Sequence, residues 1–233
     1  FVYMHRRFDI LRSTREERKF QSKLAGNLMW IGVPMGLQFS ITAIGSIMLQ
    51  SANNALGSAC IAAYASAVRI CPFESLGIAM ATYTGQNYGA GKPERIWLGI
   101  KASGLMMLVY AAFSFLILML ASRELILIFV DPAETEIIKD AIQFLHISCS
   151  FFPILGILCI LRYTIQGAGF TNLAMLSGVS EMIARTLVSI YAVPAFGFLA
   201  VCFGDATAWM AADLFLIPAF IYVYRKIKKP TSI

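Results

Sequence analysis

The chain has 233 residues, 58% of them hydrophobic and 14% charged, against about 45–50% and about 25% in soluble domains, so its composition points to the bilayer. The formal net charge of +6 is of the sign found in nucleic-acid-binding domains. The basic residues stand at the ends of apolar runs, however, where they orient a membrane protein, and no nucleic-acid partner is expected.

Residues 1–24 form a charged segment with no run of small residues of the kind that ends a secretory signal. Arg6, Arg7, Arg12, Arg15, Arg18, Lys19 and Lys23 lie in it. Beginning at Phe1, the chain reads as a portion that lacks an upstream piece. Six apolar stretches follow, near 28–50, 59–84, 96–121, 138–163, 172–193 and 205–224. Each meets the roughly 20 residues that cross about 30 Å of hydrocarbon as a helix. The fold class expected is an all-α integral membrane bundle of six transmembrane helices.

The first span contains Gly32, Pro34, Gly36 and Gly45. Gly32 and Gly36 have the small-xxx-small spacing that permits close helix approach. Gln38, Gln50, Asn53 and Asn54 line this span and its outer end, where hydrogen bonding between helices is their default role. The second span holds Arg69, Pro72 and Glu74. Pro72 removes a backbone hydrogen bond and predicts a kink. Arg69 and Glu74 are five residues apart, roughly 140° around a helix, so each needs another partner. Two readings stand side by side: a transport site on a kinked helix, or a kink that serves packing.

Gly85-Gln86-Asn87-Tyr88-Gly89-Ala90-Gly91-Lys92-Pro93 connects the second and third spans. A phosphate-binding loop would need Gly at Gln86 and Ser or Thr at Pro93, and would follow a strand, so that chemistry is rejected. After the third span, Leu125–Val130 is open between an extension of the helix and an interfacial segment. The loop 122–140 carries Arg123 and Lys139 against Glu124, Asp131, Glu134, Glu136 and Asp140. His146, Pro153 and Gly156 lie in the fourth span, and Arg162 ends it. A proton relay through His146 is weighed against a satisfied interfacial side chain.

The fifth span places Glu181 and Arg185 four residues apart at its middle, on one helix face. They are either a polar patch that binds a cation or transmits coupling, or an ion pair that satisfies itself and pins the helix. Asp213 lies midway along the sixth span above Pro218; it reads either as a functional carboxylate at depth or as a partner of Arg69 or Arg185. Buried ionisable residues are costly in a membrane and face a bundle interior or an aqueous cavity. Prolines 34, 72, 153 and 218 predict a bend in four spans.

Most of the 19 basic residues fall on one side: the 1–24 segment, Lys92, Arg95, Lys101, Arg162, and the tail with Arg225, Lys226, Lys228 and Lys229. The loops 51–58 and 194–204 have none. The bias puts both termini in the cytoplasm, and Trp30, Trp97, Tyr222 and Tyr224 fall at the same ends as interfacial anchors. Cys60, Cys71, Cys149, Cys159 and Cys202 form no C-x-x-C pair, so neither a disulfide framework nor a zinc site is implied. With two histidines and no paired carboxylates at ligand spacing, metal-dependent hydrolysis and catalysis in general find no support.

Several segments together resemble the C-terminal six-helix lobe of the multidrug and toxic-compound extrusion (MATE) family. They are Ile31-Gly32-Val33-Pro34, Ala62-Ala63-Tyr64 with Arg69, and the stretch from Gly85 to Ile96. Gln166-Gly167-Ala168-Gly169, Ser177-Gly178-Val179-Ser180-Glu181 with Arg185, and Trp209 with Asp213-Leu214 complete the set. The likeness runs over about residues 25–226. It implies one lobe of a twelve-helix transporter, with 1–24 as the end of a preceding helix and a basic linker, 25–226 as the membrane lobe and 227–233 as a cytoplasmic tail.

The resemblance further implies an antiporter in the plasma membrane that exports amphipathic or cationic organic compounds against sodium or protons, with no cofactor. It also implies membrane lipid as surroundings and an N-terminal lobe or a second copy as partner. Candidate pathway residues are Glu181, Arg185, Arg69, Glu74, Asp213 and Gln38, of which Glu181, Arg185 and Arg69 are family-pattern positions. Gly85, Gln86, Asn87 and Gly89 are expected to serve lobe architecture and gating. The alternatives are a lipid-linked sugar flippase of the wider superfamily and a membrane scaffold or partner subunit that transports nothing.

Overall fold

Apolar segments in a bilayer must satisfy their backbone N–H and C=O groups internally, which makes them helices or closed barrels. The computed structural model describes residue 7, residues 20–68 and residues 74–228, those at 66–68 and 74 as backbone alone. The described residues are helical with short turns. The helices are α1 Ser22–Asn54, α2 Ser58–Val68, α3 Glu74–Gly89, α4 Pro93–Ile126, α5 Thr135–Ser150, α6 Phe152–Gly167, α7 Thr171–Leu187, α8 Val193–Phe196 and α9 Phe198–Lys228. A π-turn, Val188–Ala192, joins α7 to α8.

Four stretches are each long and apolar enough to cross a membrane: α1, α4, Thr171–Phe196 and α9. The pair α5 and α6 meets the same standard as one span bent by 53°. α2 and α3 occupy the second predicted span, and Arg69 and Pro72 between them lie outside the described residues. The chain is a six-helix membrane bundle.

Glycines set which helices meet. α1 packs on α7, and α3 on α6. Gly45 of α1 faces Met182 and Arg185, while Gly178 of α7 faces Gln38 and Thr42. Gly77 of α3 abuts the Tyr163 ring, and Gly167 of α6 abuts the Ala81 carbonyl, so neither leaves room for a Cβ. Residue numbers rise together in both couples. Each couple is therefore parallel, as first with fifth and second with fourth spans must be in an alternating bundle. α9 packs on α7 and α6, and α2 on α5.

The core divides into two apolar clusters along the membrane normal. One joins Met107, Phe152, Leu158, Ile165, Leu216 and Val223; the other joins Leu49, Ala63, Ile126, Leu145 and Val201. The first lies toward the basic end, where Lys226 sits over the Phe170 ring and Trp97 meets Tyr224. The second lies toward the end that carries Asp131, Glu134 and Glu136.

At the basic end, α3 and α6 stop in the same way. Each reaches a Gly-Ala-Gly triplet, 89–91 and 167–169, whose last glycine has positive φ, +65° at Gly91 and +88° at Gly169. Lys92 N–H bonds to the Asn87 carbonyl and Gly91 N–H to that of Tyr88; Phe170 N–H bonds to Ile165 and Gly169 N–H to Gln166. These are paired Schellman caps. Two residues past each glycine a new helix begins, at Pro93 and at Thr171.

Several expectations change. Gly85, Gln86, Asn87 and Gly89 are the last turns of α3 rather than a loop, and only residues 90–92 connect. The 194–204 connection contracts to Gly197, at φ +60°, because α8 and α9 continue the helices on either side. α1 and α9 run unbroken through Pro34 and Pro218. The bend of the fourth span lies at Phe151, with Pro153 in the first turn of α6, where its missing N–H costs nothing. Gly32 and Gly36 face open space, with nothing near enough to meet a Cβ. Of the Leu125–Val130 run, Leu125 and Ile126 extend α4.

Candidate functional site

α6 is the central helix: every residue from Leu158 to Gln166 is buried. A polar side chain on such a helix has no water to turn to, so it must meet a partner on a neighbouring helix. Arg162, 8% exposed, does so on α7. Its guanidinium donates to the Glu181 carboxylate, and its Nε donates to Ser177 Oγ at 3.1 Å. Ser177 and Glu181 are four residues apart and thus share the α7 face that looks at α6.

One turn further along α7, Arg185 is 4% exposed. It donates from Nη1 to Glu181 Oε2 at 3.2 Å and from Nε to Asp205 Oδ1 of α9 at 2.9 Å. The result is an alternating chain, Arg162, Glu181, Arg185, Asp205, across three helices. Glu181 is 2% exposed and shared between two arginines. It lies ten residues into α7, about 15 Å along the helix axis, well inside the bundle. Burying ions costs several kcal/mol each unless they are paired with good geometry, and here each has a partner.

Asp213 lies two turns beyond Asp205 on α9 and is buried. Its Oδ1 has no hydrogen-bond partner among the described residues. Arg162 attracts this carboxylate and Glu181 repels it, so it borders the chain of charges without closing it. One turn past Arg162 on α6, Gln166 Nε2 donates to Gln38 Oε1 of α1, both side chains buried. The Gln166 Oε1 and Thr42 Oγ1 atoms beside this bond have no hydrogen-bond partner among the described residues. The polar belt thus reaches α1, α6, α7 and α9.

Glu181, Arg185, Gln38 and Asp213 come together in or beside this belt. Arg185 pairs with Glu181 and Asp205, so it is not the partner of Asp213. Arg69 lies outside the described residues, as does the side chain of Glu74, whose backbone begins α3. Gly85, Gln86, Asn87 and Gly89 stand at the basic end, where Asn87 Nδ2 donates to the Tyr83 carbonyl at 2.8 Å and Tyr83 Oη donates to the Arg95 carbonyl at 3.0 Å. That arrangement fixes the turn into α4. His146 shares a 3.1 Å hydrogen bond with Ser122 Oγ of α4.

Two members of the belt were missed from sequence. Arg162 had been counted as an interfacial charge of the basic side, yet α6 continues for another turn past it, which draws it into the bundle. The residues Tyr163-Thr164-Ile165-Gln166 after it were the available signal. Asp205 is the first residue of the span expected near 205–224, whereas α9 starts seven residues earlier and carries it into the bundle. No group of three or more metal-ligating side chains occurs among the described residues.

Residues 31–191 match the family described as MatE. Among solved structures, a MATE in complex with MaL6 is 19% identical, with 92% of this chain and 49% of that one covered, at a TM-score of 0.72. An outward-facing multidrug resistance MATE family transporter of the MOP superfamily is 17% identical over 85% of this chain and 45% of that one, at a TM-score of 0.69. A MOP superfamily transporter from Pyrococcus furiosus Vc1 (DSM3638), described as having a binding pocket of reversed polarity that suggests a different function, is 16% identical over 82% and 43%, at a TM-score of 0.66. The chain spans somewhat under half the length of each of these structures. No curated protein matches it.

Proposed function

Since the chain belongs to the MatE family, we propose that it is the six-helix half of an antiporter that exports amphipathic or cationic organic compounds against a sodium or proton gradient. A multi-pass membrane transporter is the family's common ground, and the apolar helices agree with it. The observation that supports the finer reading is the buried belt of charges. A bundle whose only task was to stay folded would be at least as stable with apolar side chains there, because buried ion pairs are often neutral or unfavourable relative to well-packed hydrophobes.

In this reading Glu181 is the exchange point. It holds Arg162 of α6 and Arg185 of α7 at once, so a displacement of α6 against α7 must lengthen one of the two bonds. Asp213, with a carboxylate oxygen to spare, is the group to receive a cation or proton as the pairing changes. Gln38 and Gln166 carry the same adjustment to α1. Arg69 and Glu74 remain candidates by position in the sequence alone, and Gly85, Gln86, Asn87 and Gly89 set the lobe's end where gating would act. The plasma membrane is the proposed location, with both termini cytoplasmic. A transport cavity needs a second lobe, supplied by an N-terminal lobe or another copy.

The test is accumulation of a fluorescent cationic dye in cells that express this chain alone or beside a matching N-terminal lobe, with Glu181→Gln in parallel. Lower dye with both lobes, abolished by the substitution at equal membrane abundance, is the expected outcome. A pair that assembles yet moves neither dye nor sodium nor protons would turn the assignment toward a lipid-linked sugar flippase or a scaffold.

A further inference from the structure

At the basic end, the outward face of the last turns of α9 has a groove on either side. The larger, of about 640 Å³, has walls that include Trp97 and Ile100 of α4 and Ile217 and Ile221 of α9, with Arg225 and Lys228 at its outer end. The smaller, of about 490 Å³, runs along the other flank past Pro218 and shares Ile221 and Arg225 with the first. Among the described residues no carboxylate lines either groove.

The floor is rigid. Trp97 stacks on Phe220 at 6.4 Å between ring centroids and lies 5.7 Å from Tyr224, which in turn stacks on Phe220 at 5.8 Å. Lys101 holds its ammonium 5.6 Å from the Trp97 centroid, a third cation beside the groove. Aromatic clusters of this kind mark headgroup depth. Ile217 and Ile221 are nearly half exposed, on a helix that crosses the membrane.

We propose that these twin grooves hold one anionic phospholipid astride the Ile221–Arg225 ridge, one acyl chain in each groove and the phosphate between Arg225 and Lys228. The occupant follows from the surroundings and the charge. An apolar groove on a membrane helix fills with acyl chains, and two grooves that meet under one guanidinium match the two chains and single phosphate of a phospholipid. Arg225 offers the planar fork that binds phosphate in bidentate fashion. Basic pockets between membrane helices are recurrent anionic-lipid sites.

Native mass spectrometry of the purified 233-residue chain, titrated with phosphatidylglycerol or phosphatidylcholine, tests the assignment. One phosphatidylglycerol should be retained in preference to phosphatidylcholine. Arg225→Gln with Lys228→Gln should weaken the anionic lipid about twenty-five-fold, at roughly five-fold for each cation near a membrane surface, and weaken phosphatidylcholine, whose phosphate is already offset by its choline, much less. Ile221→Trp, which fills the ridge with the charges intact, should weaken both lipids. Lys92→Gln with Arg95→Gln removes as much charge from the same end, outside both grooves, and should change neither.

Three results would overturn the proposal. They are equal loss in the two charge pairs, no preference in the unaltered chain, and displacement of the lipid by soluble glycerol phosphate at matching concentration. The first would indicate diffuse surface attraction and the last a phosphate site with no use for acyl chains.

Discussion

Removing the charge of Glu181 is the perturbation that most directly probes the buried belt. In Glu181→Gln, Arg185 keeps Asp205 at 2.9 Å, but Arg162 retains only the neutral Ser177 hydroxyl at 3.1 Å and a side-chain amide. An arginine with a side chain 9% exposed is then left without its ionic partner, a loss that costs about 3–5 kcal/mol. Asp205→Asn should cost less, about 1–3 kcal/mol, because Arg185 keeps Glu181 and the Asp205 side chain is already 19% exposed. The double variant Arg162→Gln with Glu181→Gln removes both charges of one pair and should recover more than half of the single-variant loss.

Thermal unfolding in detergent, followed with a thiol-reactive fluorophore, provides the assay. Cys149 and Cys202 are buried thiols that become reactive on unfolding. For a chain of this size about 2–4 °C accompanies each kcal/mol, so Glu181→Gln should melt roughly 10 °C low. Equal losses for Glu181→Gln and Asp205→Asn, or a double variant no more stable than Glu181→Gln, would refute the idea that Glu181 is the shared counter-ion.

Three further outcomes follow from neighbouring features. Gln166→Leu orphans Gln38 in a buried site and should cost about 1–3 kcal/mol, whereas Gln38→Leu with Gln166→Leu should be nearly neutral in the same melting assay. Gly167→Leu places a side chain against the Ala81 carbonyl and should force α3 from α6; an engineered cysteine pair, Gly77→Cys with Tyr163→Cys, should then cross-link much more slowly than without it. Gly91→Ala and Gly169→Ala put a Cβ on positive-φ caps with open space around them, so only backbone strain acts, and each should cost about 1–2 kcal/mol.

Much of the architecture was legible because bilayer physics leaves few options: six apolar stretches of sufficient length, parted by glycine-rich or polar breaks, can form little except a bundle. The seams were less so. Gly32 and Gly36 have small-xxx-small spacing yet face outward, while Gly77 and Gly204, each with an alanine four residues on, do meet Tyr163 and Leu49, so the spacing alone does not tell a seam from a lipid-facing surface. A helix period tells which residues share a face, not which helix that face will meet. The same limit explains the site. Glu181 with Arg185 could be read along one helix, but Arg162 and Asp205 come from 19 residues upstream and 20 downstream of their partners, and only the packing of α6, α7 and α9 joins them.

The departures from regular helix are unevenly distributed, and the belt lies across that gradient. The basic end is pinned by two Schellman caps and by the glycine contact of α3 with α6. Among the described residues the irregularities lie at mid-depth or beyond: Ala121, at φ −122° and ψ 16° within α4, the 53° bend at Phe151, the π-turn of Val188–Ala192 and Gly197. Extra-residue turns of the π kind loosen a helix locally and recur at functional sites. Arg162 belongs to the pinned half. Arg185 lies three residues before the π-turn, and Asp205 about two turns after Gly197. In the proposed cycle, therefore, deformation at the acidic end would carry Arg185 and Asp205 with it while Arg162 stayed in place, and Glu181 between them would register the difference. A carboxylate so placed would link ion binding to a change of shape without any movement of the lobe's capped end.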